Sequence, residues 1–232
     1  MSPRLVTLVP VGRERYLYPL TSVNANRVRS VRGRLTFGLY GESAPLATER
    51  FKEFVTGSIG QFGSSGGGPS YSYGTMDKLR PGTVLEGGKI AGLRQVEFAG
   101  ALEYEWASRL LPLRPVIEAN GLRHTRRGLL THERFKAGPE FGITLAIAPE
   151  LDGGWEVLGE VLEDPSNLLG LMEGLPYVTG RSLEVPGSAA DTIFNLQRGA
   201  FLALAKSSGD KRAVDRTGQL LRRVEIVSTG IL

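Results

Sequence analysis

Residues 33–40 read GRLTFGLY, and the stretch SAPLATERFKEFVTG follows at 43–57. In the first segment Leu35, Phe37 and Leu39 alternate with polar or small residues, which is typical of a half-buried β-strand. In the second, apolar residues recur at helical spacing after a proline that a first helical turn tolerates, and the closing glycine can end the helix. The sequence therefore predicts a strand followed at once by an amphipathic helix.

Short strands and further helices are predicted on both sides of this pair. The predicted strands are 4–9, a short stretch before Glu86, 129–130, 141–148, 155–162 and 222–228. The predicted helices are 98–111, one that begins with Asp164 as N-cap and Pro165 as first residue, and one from Ser188 to about Lys206. The glycine- and serine-rich residues 57–74 predict a loop. This pattern favours a closed β-barrel capped by helices or an α+β sandwich.

Composition excludes several kinds of site. The chain of 232 residues has no cysteine, which excludes a disulfide scaffold, a cysteine-ligated metal and a thiol nucleophile. It has 2 histidines, His124 and His132, which argues against a multi-histidine metal site. Because Arg126 and Arg127 lie between them, we expect these histidines to be solvated or to cap other groups.

Positive charge is concentrated at the start of the chain. The net charge is +4, but the first forty residues alone carry seven arginines and a single acidic residue, Glu14. Six of these arginines lie before residue 33, and they are candidate partner-binding residues: Arg4, Arg13, Arg15, Arg27, Arg29 and Arg32. They are either the exposed side of a docked segment or a contact for an anionic membrane surface, nucleic acid or an acidic protein. No interleaved aromatic pattern supports nucleic acid, and no apolar run is long enough for a transmembrane segment or a signal peptide.

Five segments of the chain, in order and spacing, resemble the cyclophilins, a family of peptidyl-prolyl cis–trans isomerases. They are 33–51, 81–88 (PGTVLEGG), 124–131 (HTRRGLLT), 151–161 (LDGGWEVLGEV) and 224–230 (VEIVSTG). The resemblance implies a mainly β fold: a closed eight-stranded antiparallel barrel capped by helices, here with extra helical insertions. It divides the chain into a basic N-terminal extension, 1–32, and a barrel domain, 33–232, with insertions near 57–75, 98–115 and 176–216.

A segment near the C-terminus narrows the resemblance to one branch of the family. Residues 209–213 read GDKRA, within 194–214, and are similar to an inserted segment of divergent thylakoid cyclophilins of chloroplasts. This similarity implies a location in the chloroplast, in the thylakoid lumen or associated with the thylakoid. It also implies protein partners, such as subunits of a thylakoid membrane complex.

Cyclophilins isomerise X–Pro bonds by holding the proline ring in an apolar pocket beside an arginine, with no metal or cofactor. Six positions of this chain match that pocket, and all of them differ from the family: Lys78, Thr83, Val84, Glu86, Gly142 and Trp155. Lys78 replaces the arginine, Glu86 the glutamine that grips the peptide, and Gly142 a pocket phenylalanine. Thr83 and Val84 replace a phenylalanine and a methionine, and Trp155 replaces a histidine.

These replacements set two hypotheses against each other. Lysine lacks the planar fork of arginine, and the lost aromatic walls would no longer bury a proline ring. The first hypothesis is therefore a cyclophilin-like protein with a degenerate, non-catalytic pocket, partly refilled by Trp155, that acts by contact in assembly or structure. The alternative is an active isomerase with an atypical site in which Lys78 supplies the positive charge.

Overall fold

The structure is a computed structural model that describes residues 5–13, for the backbone only, and 31–59, 67–72, 74–118, 120–179, 196–197 and 216–232. Its strands are β1 (Leu5–Arg13), β2 (Leu35–Leu39), β3 (Thr75–Arg80), β4 (Val84–Lys89), β5 (Arg94–Phe98), β6 (Ala101–Trp106), β7 (Arg109–Leu111), β8 (Leu129–Glu133), β9 (Phe141–Thr144), β10 (Trp155–Glu163) and β11 (Gln219–Ile231). Helices α1 (Pro45–Thr56) and α2 (Leu168–Glu173) accompany these strands, and a 3₁₀ turn covers Pro149–Leu151.

Eight strands close into an antiparallel barrel in the order β1-β11-β3-β4-β9-β8-β10-β2. The closed barrel, rather than the α+β sandwich, is thus the correct alternative. β1 pairs with β2 on one side and with β11 on the other. The division of the chain at residue 32 stays a prediction, but Leu5–Arg13 of that basic segment is a strand of the barrel.

The strand and helix predicted for residues 33–57 are confirmed. β2 is buried on both faces rather than one, since Thr36 donates to Glu163 and a Cβ on Gly38 would lie 2.9 Å from the Leu162 side chain. α1 buries its apolar stripe in the core and ends at Gly57, whose φ of 70° lies in the left-handed region that glycine favours.

The predicted helix at 98–111 is wrong, and with it the expectation that the insertion near 98–115 is helical. β5, β6 and β7 form a separate three-stranded antiparallel sheet over this stretch. Two tight turns, at 99–100 and 107–108, have positive φ at Ala99, Gly100, Ala107 and Ser108 and fold the stretch back on itself. A spacing of four residues between apolar side chains suggested a helix. Every second residue of a strand points to the same face, so residues four apart share a face in a strand as well.

Other element boundaries also differ from prediction. The helix after Asp164 begins at Leu168 instead of Pro165, because the Asp164 carboxylate accepts the backbone N–H groups of Leu168 and Leu169 at 2.6 and 3.0 Å. β9 ends at Thr144 instead of residue 148, and β3 was not predicted. The predicted helix at 188–206 lies outside the described residues except for 196–197, as does most of 176–216.

Candidate functional site

The positions predicted to match the pocket lie along five consecutive strands of the barrel wall, β3, β4, β9, β8 and β10. In the strand register, Lys78 on β3 lies opposite Glu86 on β4, and Glu86 lies opposite Gly142 on β9. Gly142 in turn lies opposite Thr131 on β8, next to β10, which begins with Trp155. The sheet therefore brings residues that are up to 77 positions apart, from 78 to 155, to one face.

Trp155 occupies the space beside Gly142. A Cβ placed on Gly142 would lie 2.6 Å from Val84 Cγ2, 3.1 Å from Trp155 Cζ3 and 3.3 Å from Thr131 Cγ2. No aromatic side chain at position 142 could enter this space without moving Trp155. Val84, Ala148 and Leu151 form a small buried cluster against which Trp155 packs.

A guanidinium group does reach this face, but it comes from Arg80 instead of residue 78. The Arg80 Cζ lies 5.2 Å from the centroid of the Trp155 ring, within the range of a cation–π contact. The Arg80 Nε donates to Glu86 Oε1 at 2.7 Å, with the two side chains 39% and 19% exposed. Lys78 is exposed and makes no ion pair with any residue that the structure describes.

Sequence reasoning missed Arg80, although a signal was available. Residues 78 and 80 are two apart on one strand, so their side chains share a face. Once β3 is recognised as a strand, Arg80 becomes a candidate for the same site as Lys78.

Thr83 is drawn into a polar contact instead of lining an apolar wall. Its hydroxyl donates to Glu150 Oε1 at 3.0 Å, and both residues lie at the exposed rim. Glu150 is the middle residue of the 3₁₀ turn that carries Leu151 to the buried cluster.

His124 is buried and the His132 side chain is 16% exposed, so neither histidine is solvated as one of the two expectations had it. The Nδ1 of His124 lies 2.7 Å from Asp152 Oδ1, and its Nε2 lies 2.9 Å from the Thr131 hydroxyl. Burial raises the pKa of Asp152, but hydrogen bonds from His124 outweigh it and leave that pKa below its usual range. The three residues resemble a catalytic triad, but the Thr131 hydroxyl is buried and donates to the Glu156 carbonyl at 2.7 Å. It cannot reach a substrate, and the network instead fixes β8, β10 and the Asp152 turn together.

An open groove adjoins the tryptophan. It has a volume of about 490 Å³ and is lined by Glu118, Asn120, Gly121, Leu122, Arg123, Arg134, Asp152, Gly153, Trp155 and Glu156. The Arg123 guanidinium is exposed there. Within the described ranges, no group of three or more histidine or acidic side chains could hold a metal ion.

The arginines predicted to bind a partner are mostly beyond the described residues. Arg4, Arg15, Arg27 and Arg29 lie outside them, and Arg13 is described as backbone of β1 only. Arg32 is described and exposed.

Comparison with known proteins identifies the family. The model of the cyclophilin type peptidyl-prolyl cis-trans isomerase/CLD family matches residues 23–177, more than half of the chain. The chain therefore belongs to the cyclophilin-type family, in agreement with the barrel and with the resemblance of its motifs.

Two curated relatives come from Arabidopsis thaliana. The chain is 26% identical over 210 residues to "Peptidyl-prolyl cis-trans isomerase CYP26-2, chloroplastic", covering 78% of this chain and 59% of the relative. It is 27% identical over 153 residues to "Peptidyl-prolyl cis-trans isomerase CYP21-1", covering 64% of this chain and 63% of the relative. The chain thus spans about three-fifths of the length of each. Among the described helices, none has the length and apolar character needed to cross a membrane.

Proposed function

We propose that this protein is a cyclophilin-fold protein that has lost the proline pocket and acts by contact with other proteins. The observation that carries the proposal is the Trp155 ring, which lies in the space beside Gly142 where a proline ring would need an open apolar wall. Arg80 lies over that ring, and its Nε is bound to Glu86, so the guanidinium is held against the indole and the carboxylate is already occupied.

A protease-coupled assay with an X–Pro peptide tests this proposal. We expect no turnover above the uncatalysed rate for the wild-type chain, because the proline ring would find no apolar seat and the Arg80 guanidinium is held against Trp155. Turnover that disappears in Lys78→Ala or Arg80→Ala would overturn the proposal. Arg94→Ala is a matched control, since Arg94 also pairs with a glutamate across a hairpin, at 2.9 Å from Glu105, but on the separate sheet.

The alternative is an active isomerase with an atypical site, and one observation favours it. Arg80 places a planar guanidinium donor on the pocket face, and Lys78 does not. The positive charge that the alternative needs would therefore come from Arg80, two residues beyond Lys78 on β3. The same assay separates the two functions: Arg80→Lys would retain the charge and lose the two aligned donors of the fork. A rate that drops in this variant would support the alternative.

We further propose a location in the chloroplast, in or against the thylakoid, and partners among the subunits of a thylakoid membrane complex. The chloroplastic relative at 26% identity and the GDKRA segment support this. The basic residues 1–32 and the inserted segments are the proposed docking surfaces. Fractionation of chloroplasts with an antibody to the chain tests the location. Recovery in the envelope or stroma alone would contradict it.

A further inference from the structure

The hairpin formed by β5 and β6 ends in an exposed stretch without a polar side chain. Residues 98–102 read FAGAL, and they are here called the tip. Phe98 is 58% exposed and Leu102 is 68% exposed, and the residues between them are exposed as well. The backbone is paired up to Phe98↔Ala101, so only the turn at 99–100 lies outside the strand pairing. Contiguous exposed apolar groups of this kind mark a contact site.

The tip is exposed on both faces of its sheet. Successive residues of a strand point to opposite faces, so Leu102 shares a face with Tyr104, whereas Phe98 lies on the other face. Tyr104 is 8% exposed and belongs to the core, so this face is covered at Tyr104 and uncovered at Leu102. The hairpin therefore projects beyond the barrel. A flat protein surface covers one face of such a projection, whereas the interior of a lipid bilayer surrounds it on every side.

The charges behind the tip do not favour an anionic partner. The Glu103 carboxylate accepts two hydrogen bonds from Arg114, at 2.7 and 2.9 Å, so this pair carries no net charge. Glu97 is exposed, lies opposite Leu102 in the register and has no ion pair among the residues that the structure describes. A free carboxylate beside the tip is repelled by anionic lipids. It is compatible with headgroups of zero net charge, in which an ammonium group accompanies the phosphate.

We propose that the tip is a shallow membrane anchor that inserts into the surface of a lipid bilayer without net charge. A strand rises about 3.4 Å per residue, so the turn at 99–100 lies roughly 7 Å beyond Glu97. Interfacial anchors bury their apolar residues about 5–10 Å into the boundary between headgroups and acyl chains. Phe98 and the turn thus reach this boundary, the Leu102 side chain leaves water just behind them, and Glu97 stays among the headgroups.

The anchor is weak and reversible. Its two large apolar side chains bury less surface than an acyl chain, and a single acyl chain already gives only marginal membrane binding. The tip therefore brings the barrel to a membrane surface without fixing it there. The proposal goes beyond the proposed function, which concerns protein partners and the proline pocket, and neither depends on the other.

A fluorescent label on the full chain tests the proposal, because the chain has no cysteine of its own. Ala99→Cys places an environment-sensitive label in the tip, and Ser108→Cys places the same label in the other tight turn of the same sheet. Both positions have a positive φ without being glycine, which makes the two variants a matched pair. With phosphatidylcholine vesicles at millimolar lipid, we expect the label at 99 to shift to shorter emission wavelengths and to be quenched by nitroxide-labelled lipid. The label at 108 should not respond.

Substitutions that remove apolar side chains measure the contribution of the tip to vesicle binding. Phe98→Ser and Leu102→Ser should each lower the partition coefficient, determined by co-sedimentation with phosphatidylcholine vesicles, on the order of tenfold. Leu110→Ser is the matched control, since Leu110 is a 41% exposed leucine of the same sheet that lies opposite Glu105 instead of in the tip. It should leave the partition coefficient unchanged.

Four results would overturn the proposal. The label at 99 stays in water at millimolar phosphatidylcholine, or the label at 108 responds equally. Leu110→Ser weakens binding as much as Phe98→Ser does. Insertion occurs only with phosphatidylserine, which would assign lipid binding to the basic residues of the chain. The label at 99 is shielded without vesicles in a chain that elutes as a dimer, which would assign the tip to a second copy.

Discussion

At the residue scale, the decisive feature is the close packing of Trp155 against Gly142. At position 142, where the resemblance predicts a pocket phenylalanine, the chain has glycine, and a tryptophan stands at position 155. Because the Trp155 Cζ3 lies 3.1 Å from where a Gly142 Cβ would be, the two positions share one volume. A large side chain placed at position 142 while the Trp155 ring remains must therefore overpack the site.

This sharing predicts a coupled response to mutation. Gly142→Phe alone should destabilise the chain by about 1–3 kcal/mol, through contact with Val84 and Trp155. Trp155→Ala alone should also destabilise it, by about 2 kcal/mol, since the ring is only partly buried. The double variant should lose less than the sum of the two, by about 1 kcal/mol or more.

Urea unfolding followed by circular dichroism measures all three variants without relying on tryptophan emission. Gly153→Ala is a comparison variant in the same unfolding measurement. The φ of Gly153 is 86°, so an alanine there strains the backbone, although no atom lies within 4 Å of the added Cβ. Strictly additive free energies for Gly142→Phe and Trp155→Ala would show that the two side chains do not compete for one space.

At the element scale, α1 depends on a residue far away in sequence. The helix begins at Pro45, and the chain provides no side-chain cap of its own there. The cap comes from Glu118, 71 and 72 residues from the N–H groups that it accepts. A carboxylate at this end also interacts favourably with the helix dipole.

We therefore expect Glu118→Ala to lower the free energy of unfolding by about 1 kcal/mol, the usual cost of a lost N-terminal cap. Glu49→Ala on the same helix is the matched control. Glu49 is 63% exposed and, among the residues that the structure describes, pairs with Lys52, so its loss should cost about 0.5 kcal/mol or less. Thermal unfolding of both variants at pH 7.5 makes the comparison. Equal losses would mean that the Glu118 contact does not stabilise α1.

At the scale of the whole molecule, barrel closure rests on the basic N-terminal segment. β1 pairs with β2 from Leu5↔Gly38 to Leu8↔Leu35, and with β11 from Val6↔Ile231 to Arg13↔Arg223. Without β1, both β2 and β11 would present open edges, which readily pair with other chains.

Deletion of residues 1–13 should accordingly give a chain that aggregates or unfolds, whereas deletion of residues 1–4 should leave a folded monomer. Size-exclusion chromatography and far-ultraviolet circular dichroism distinguish the two outcomes. If the chain without residues 1–13 still formed a monomeric barrel, β1 would not be needed to close it. Residues 1–13 would then be an extension that folding does not require.

The sequence by itself determined the family and the class of fold, and it predicts which pocket positions are altered. Local patterns were sufficient to predict β2 and α1. The apolar residues of β2 alternate, those of α1 recur at helical spacing, and α1 begins at a proline and ends at a glycine. The tertiary structure alone decided that 98–111 is a sheet, since a spacing of four residues serves helix and strand alike until turns and partners are known. It also decided that Arg80 reaches Trp155 and that Glu118 caps α1. Each of these contacts joins residues on different elements, and their distances depend on strand register and barrel closure, which no local pattern encodes.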